Sequence, residues 1–414
     1  SGLVGSEMCI RDREGKRKEI QRSKYGVSEN RSKLLPQINA IAGYSNNFDP
    51  PVSVTDGSSY GVPYNITQTL QHSANAGLEM QMPLFNQTLY TSMSIAKVME
   101  EISRLSYGKA REDVILQISK MYYLGQVTAE QIMLIKANIT RLEELRDITQ
   151  AFFDNGMSME VDLKRVNINL ENLKVQYDNA QAMMKQQLNM LKYIMDYPAE
   201  KEIALTPVNT DSITTVALTG LSENIYELQL SQSQVQLAER QKKIITNGYI
   251  PSLSLTGSWR YAAYTDKGYH WFHSGPSNQW FRSYGVGLTL RIPIFDGLDK
   301  TYKIKKAMID IENKRLAWED ARKNLQTQYL NAVNDLMNNQ RNFKKQKDNY
   351  LLAEDVYAVT SDRYREGIAS MTEVLQDEMQ MSEAQNNYIS AHYNYRVTNL
   401  MLLKLTGQIE SLVK

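Results

Sequence analysis

The chain has 414 residues, with 47 Lys and Arg against 46 Asp and Glu, for a formal net charge of +1. Near-neutrality excludes the basic face or stripe of a nucleic-acid binder. With 42% hydrophobic residues and a mean hydropathy of −0.46, no run approaches the roughly 18 apolar residues of a membrane-spanning helix; a closed β-barrel, whose strands give a far weaker hydropathy signal, stays open.

The first segment, Ser1 to about Arg13, resembles a translated sequencing adapter and is set aside from fold reasoning. With it goes Cys9, the single cysteine, so the remainder offers no disulfide, Cys-ligated zinc or thiol nucleophile. The natural N-terminus, with any signal peptide or lipid-anchor cysteine, is then expected to lie outside this sequence.

A first structural unit is expected over residues 14–196. Its first strand, about 36–48, places Ile38, Ala40, Ala42 and Tyr44 on one side. A polar loop, Asp49–Ser73, leads to a second strand at about 74–85. There Ala76, Leu78, Met80 and Met82 oppose Asn75, Gly77, Glu79 and Gln81. Period-two alternation of this kind marks a strand with one apolar and one polar face. Beyond Pro83, residues 87–153 contain no proline and predict one helix of roughly 100 Å at 1.5 Å per residue. Gly156 ends it. A returning helix over about 158–196 carries Leu163, Val166, Leu170, Leu173, Tyr177, Ala180 and Met184, alternately three and four apart, which is the seam of a coiled coil.

A Pro- and Thr-containing linker over 197–221 separates this unit from a second, over 222–407, with a short tail at 408–414. Strands are expected at about 251–264 and 283–295. In the first, Leu253, Leu255, Gly257, Trp259 and Tyr261 oppose Ser252, Ser254, Thr256, Ser258 and Arg260; in the second, Val286, Leu288, Leu290 and Ile292 oppose Gly285, Gly287, Thr289 and Arg291. Tyr261, Tyr264, Trp271, Phe272, Trp280 and Phe281 gather near one end of this pair, as an aromatic girdle would. Beyond Pro293 a helix over 297–364, Gly367, and a second helix over 369–406 repeat the order of the first unit. The last carries a seam of Ala384, Tyr388, Ala391, Tyr395, Thr398, Leu402 and Leu405. Pro83 and Pro293 lie 210 residues apart, Gly156 and Gly367 211, and Pro36 and Pro251 215. A register held over so much of the chain is an internal duplication. Four strands cannot close a barrel within one chain, so their edges require partners.

A duplicated order of strand, loop, strand, very long helix and returning coiled-coil helix resembles the TolC-type outer-membrane efflux family. The residues that carry the resemblance are Met82-Pro83-Leu84-Phe85 and Ile292-Pro293-Ile294-Phe295 at the strand-to-helix junctions. To these are added Phe153–Asp162, Tyr364–Glu373 and the closing Leu402-Leu403-Lys404-Leu405-Thr406-Gly407. The match runs from about residue 25 to 407, and much of the first helix, before Pro36, is expected to be absent. The resemblance implies a mainly α fold with β strands: a homotrimer with four strands per chain closing one twelve-stranded outer-membrane barrel, continued by an α-helical coiled-coil tunnel. It implies the outer membrane of a Gram-negative bacterium and a passive exit duct of a tripartite efflux or type I secretion system. The implied partners are outer-membrane lipid, an inner-membrane transporter and a periplasmic adaptor docking around Gly156 and Gly367. No cofactor, metal or catalytic group is implied.

By position in the family, Asp162 and Glu373, each six residues after its glycine, would ring the narrow periplasmic end with six carboxylates. Such rings favour cations. Ser370-Met371-Thr372-Glu373 also has the form of a capping box, which by itself accounts for a Glu in a first helical turn; Val161 occupies the corresponding place in the first unit. Tyr364 matches a tyrosine of the family's closing network, or is core. The network's arginine falls on Ala369 and its second acid on Gln376, so closure of that type is not expected. His270 and His273 lack a third ligand and read as a surface loop. Met183, Met184, Met190, Met195, Met379 and Met381 read as core. No phosphate-binding, dinucleotide-binding or nucleophile-elbow motif occurs. A soluble coiled-coil scaffold is the alternative, although it has no use for four strands with one apolar face each.

Overall fold

A computed structural model describes residues 10–50, 52–56, 58, 61–68, 70–206, 220–265 and 280–413. His270, His273, Trp271, Phe272 and residues 207–219 of the linker lie outside the described residues. The elements are α1 (Ile10–Ser32), β1 (Gln37–Asn46), β2 (Val52–Asp56), β3 (Tyr64–Gln68), β4 (His72–Phe85), α2 (Gln87–Asp154), α3 (Glu160–Ile194), α4 (Tyr226–Asn247), β5 (Ser252–Thr265), β6 (Trp280–Arg291), α5 (Asp299–Arg365) and α6 (Met371–Leu405), with a short 3-10 turn at Ile409–Val413. The chain divides into two compact units. One comprises Gln21–Glu101 and Ser233–Lys314; the other comprises Ser1–Ile20, Ile102–Gln232 and Arg315–Lys414.

The first of these units holds a four-stranded antiparallel sheet in the order β1-β4-β5-β6. β4 pairs with β5, so the two copies of the duplicated unit meet within one sheet. Register carries the alternation across all four strands. Ile38, Met80, Gly257 and Val286 form one row, and Ala40, Leu78, Trp259 and Tyr284 a second row of the same face. Between them runs the polar row Asn39, Glu79, Ser258 and Gly285. One face is therefore apolar over its whole width, and it is uncovered: Val286 is 80% exposed and Leu288 66%. β1 and β6 are edge strands whose outer ladders have no partner within the sheet.

Close approach of β4 and β5 depends on one missing side chain. A Cβ at Gly77 would lie 2.4 Å from the Trp259 carbonyl oxygen and 2.8 Å from the Arg260 Cα, both backbone atoms that cannot swing aside. At Gly43 the added carbon would meet only the flexible Asn75 side chain, at 3.1 Å. Gly77→Ala is accordingly expected to destabilise the sheet by about 1–3 kcal/mol, as overpacking does, with Gly43→Ala the milder change. Denaturant midpoints of the purified variants check the order. Equal midpoints would contradict it.

The structure corrects the sequence reading at several points. The segment Asp49–Ser73 is not all loop: β2 and β3 pair as a separate antiparallel ribbon, with Val54 opposite Ile66. Val52 and Val54 alternate with Ser53 and Thr55, a period hidden by Gly, Ser and Asn on either side. Before Pro36 the chain forms α1, which begins inside the segment set aside. α4 was not anticipated, because Leu228-Gln229-Leu230 and Val235-Gln236-Leu237 alternate as a strand would, whereas Leu228 and Ala238 are buried along a helix. α5 starts at Asp299, not 297, because Gly297 and Leu298 take left-handed φ values of 67° and 68°.

The two strand-to-helix junctions differ accordingly. After Pro83 the register shifts, the ladder ends one pair later at Phe85 and Leu253, and Asn86 Oδ1 caps α2 by accepting from the N–H of Thr88 at 3.0 Å. After Pro293 the cap is Asp296, which accepts from the Lys300 N–H at 3.2 Å and Nζ at 3.0 Å.

In the helical unit both seams are filled. Val166, Leu170, Leu173 and Ala180 of α3 are buried, as are Ala384, Tyr388, Ala391, Tyr395, Leu402 and Leu405 of α6. One cluster joins Leu142 and Leu145 of α2, Val166 to Leu173 of α3, Tyr357 and Tyr364 of α5, and Met371 to Met381 of α6. Among the methionines read as core, Met381 is fully buried, but Met183, Met190, Met195 and Met379 are exposed, because they fall off the seam positions.

Candidate functional site

The helices turn twice, and both turns are built alike. Gly156 has φ +73°; its N–H donates to the Phe153 carbonyl at 2.9 Å, and the Met157 N–H to the Phe152 carbonyl at 2.8 Å. Gly367 has φ +75°, with the same two bonds to Tyr364 at 2.9 Å and Arg363 at 2.8 Å. This left-handed helix stop satisfies carbonyls that a helix end leaves free, and glycine adopts it without the strain of a side chain.

The returning helices start differently. Ser370 caps α6 through a complete capping box: Ser370 N–H and Oγ–H donate to the Glu373 carboxylate at 2.8 and 3.0 Å, and the Glu373 N–H donates to Ser370 Oγ at 3.3 Å. These bonds hold the Glu373 carboxyl below the usual carboxylate range. α3 begins after Met159 with no side-chain cap. Asp162 instead pairs with Arg165, whose Nη1 lies 3.2 Å from Asp162 Oδ1 and donates also to Thr372 Oγ1 at 3.3 Å. Arg165 thus links the first turn of α3 to the first turn of α6, beside Glu373. That tie brings the two sequence-predicted acids into one neighbourhood.

Tyr364 is buried at 6% exposure; its hydroxyl donates to Thr149 Oγ1 at 3.3 Å and its ring lies 5.6 Å from that of Phe152. It ties α5 to α2 inside the cluster beneath the turns. Ala369 packs against that cluster, while Gln376 is exposed. Arg365 reaches Glu144 at 3.4 Å, and Arg141 pairs with Glu354 at 2.5 Å, so α2 and α5 are also joined by ion pairs.

Two groups in these helices escaped the sequence reading. Glu378 is 4% exposed, its Oε1 has no partner among the described residues, and burial pushes its carboxyl up to about 7. The signal was present: Met371, Val374, Glu378 and Met381 continue the three-and-four spacing of the α6 seam towards the turn. The second is a buried polar lock between α2 and α6. Tyr388 Oη donates to Glu130 Oε1 at 2.9 Å, Arg396 Nε donates to His392 Nε2 at 3.0 Å, and His392 Nδ1 faces Glu130 Oε2 at 3.3 Å. Burial raises the Glu130 pKa, but the hydrogen bonds from His392 and Tyr388 outweigh it and hold the carboxyl below its ordinary range. Among the described residues no group of three His, Cys, Asp or Glu side chains is placed to hold a metal ion.

The comparisons decide the family. The family model described as "Outer membrane efflux protein" matches residues 16–195 and again 217–408, one match for each copy of the duplicated unit. The chain belongs to the outer membrane efflux protein family. It is 21% identical over 399 residues to the outer membrane protein TolC of Vibrio cholerae, covering 92% of this chain and 84% of the relative. It is 23% identical over 379 residues to the toluene efflux pump outer membrane protein TtgC of Pseudomonas putida, covering 86% and 75%. Among solved structures it resembles the outer-membrane channel OprN, with a TM-score of 0.77 at 15% identity over 96% of this chain and 87% of that one. CusC matches with a TM-score of 0.79 at 16% identity over 96% and 89%. As a member of the outer membrane efflux protein family, the chain is an efflux channel of the Gram-negative outer membrane.

Proposed function

We propose that three copies of the chain close a twelve-stranded barrel and act as the passive exit duct of a tripartite efflux or type I secretion system. An inner-membrane transporter supplies the energy, and a periplasmic adaptor docks at the helix turns around Gly156 and Gly367. One observation carries the reading: in-register alternation gives the sheet an apolar face across all four strands while leaving both of its edges open. Lipid matches such a face, and only pairing of each edge with a neighbouring copy satisfies its backbone in a bilayer. A soluble coiled-coil scaffold gains nothing from either feature.

In this reading Asp162 and Glu373 ring the narrow end, Tyr364 packs the turn that carries them, and Pro83 and Pro293 mark where barrel strands give way to helices. The double variant Asp162→Asn with Glu373→Gln tests the ring cleanly, because Gln at the third helical position preserves a capping box. The cation-to-anion permeability ratio is expected to fall by about five-fold, the worth of a unit charge met at about 4 Å in water. Single-channel reversal potentials in a salt gradient measure it. Unchanged potentials would return Glu373 to capping alone and Asp162 to its pairing with Arg165.

A further inference from the structure

The polar face of the sheet carries charge that the helix turns do not use. Glu79 of β4 and Arg260 of β5 sit on adjacent polar rows, diagonally across the strand pair. Arg260 Nη2 donates to Glu79 Oε1 at 2.5 Å, and the two side chains remain 43% and 46% exposed. On the β5–β6 side their neighbours are short: Ser258 and Gly285 continue the row of Glu79, which begins at Asn39, and Gly77 and Ser283 flank Arg260 in a row that begins at Ile41. The pair is therefore open to solvent on the side of β6. A cavity of about 450 Å³ adjoins it over Gly285 and Gly287. Besides Arg291 at the end of β6, these are the charged side chains of that face among the described strand residues.

An exposed ion pair contributes little to stability, and the β4–β5 ladder is already continuous through these rows. Holding the strands together does not account for it. We propose that Glu79 and Arg260 form a charge belt inside the barrel: three ion pairs around the lumen, balanced in sign, so that cargo of either charge passes and ion preference is left to other levels of the channel. The proposal rests on the trimeric-duct reading, in which the polar face lines the lumen. It assigns a specificity role to two residues at a level distinct from Asp162 and Glu373. Balance is the working feature, since each guanidinium cancels one carboxylate at the surface a solute meets.

The test is single-channel recording from full-length trimers in a planar bilayer under a KCl gradient, with Glu79→Gln and Arg260→Gln measured separately. Arg260→Gln is expected to raise the cation-to-anion permeability ratio by about two-fold and Glu79→Gln to lower it by as much, the effect of a unit charge passed at about 8 Å in water. Arg260→Lys, which keeps the charge, is expected to restore the wild-type reversal potential. Either neutralised variant is sufficient, so failure of one to insert leaves the other to decide. Conducting variants with wild-type reversal potentials would overturn the belt and leave the duct standing. A wild-type chain that forms no membrane-inserted trimer at all would overturn the duct reading, and the belt with it.

Discussion

Arginine in place of Leu255 or Leu288 is expected to reduce sharply the amount of membrane-inserted trimer. The two residues face each other across β5 and β6, and Leu255 also pairs with Met82 of β4, so each lies within the apolar face and not at its border. The face has recognisable limits. Tyr261 and Arg282 close it towards one end, where Arg282 lies over the Tyr284 ring at 5.9 Å, and Leu253 opposite Leu290 continues it towards the α5 junction. A cation placed near the middle of such a band costs about 2–4 kcal/mol in an outer-membrane barrel, and threefold symmetry imposes that cost in every subunit. Ser254→Arg supplies the contrast. Ser254 is the neighbour of Leu255 on the opposite face, paired with Thr289, where a charge meets water. Outer-membrane fractions probed for folded trimer should show loss for Leu255→Arg and Leu288→Arg and near-normal yield for Ser254→Arg. Equal yields for all three would mean that the alternating faces do not separate lipid from lumen.

That experiment exploits the part of the fold that the sequence stated most plainly. Period-two alternation survives in the chain because a sheet translates it into rows: once Leu78 faces out, register places Trp259 and Tyr284 beside it. The turns were legible for a similar reason, since Gly156 and Gly367 occupy backbone conformations that select for glycine. What stayed hidden depends on partners distant in sequence. Asp162 and Thr372 share Arg165 across more than two hundred residues, a meeting that no local pattern announces. α4 hid behind an alternation of Leu and Gln that imitates a strand, and β2 and β3 behind the Gly, Ser and Asn of a loop. Glu378 was overlooked for a different reason. A carboxylate at a seam position is not scored as apolar, although its place in the spacing is that of core.

The buried state of Glu378 makes the helix turns pH-dependent in a specific direction. Glu378 is buried at the helical spacing of Met371, Val374 and Met381, which belong to the core cluster, and desolvation raises its pKa from the 4.5 of a free glutamate to about 7. No nearby cation reverses this. Arg141, whose Nη1 lies against the Met381 sulfur, is engaged by Glu354 and Asn138. Tyr357, which also senses the Glu378 charge, is itself pushed up to about 12 by burial and stays protonated. A raised acid pKa means that the folded state holds a proton which the unfolded segment releases. Stability is then fully present below about pH 4.5, declines as pH rises through the window, and is lowest above about 7, a difference of about 3 kcal/mol at 1.36 kcal/mol per unit. Hydrogen exchange of amides in residues 142–149 and 371–381 should therefore quicken, beyond the intrinsic rate, between about pH 5 and 8. Glu378→Met, which fills similar volume without a titratable group, should abolish that slope and protect these amides most at the alkaline end. Glu112 provides an internal comparison. It too is buried and raised to about 7, but it belongs to the neighbourhood of Lys404, Asp113 and Glu410, so Glu112→Met should remove pH dependence there and leave residues 371–381 unchanged. Wild-type protection in residues 371–381 that is flat from about pH 5 to 8 would show that Glu378 is ionised at no cost in the folded turn, and would remove the buried carboxylic acid from the account of how the turns are held.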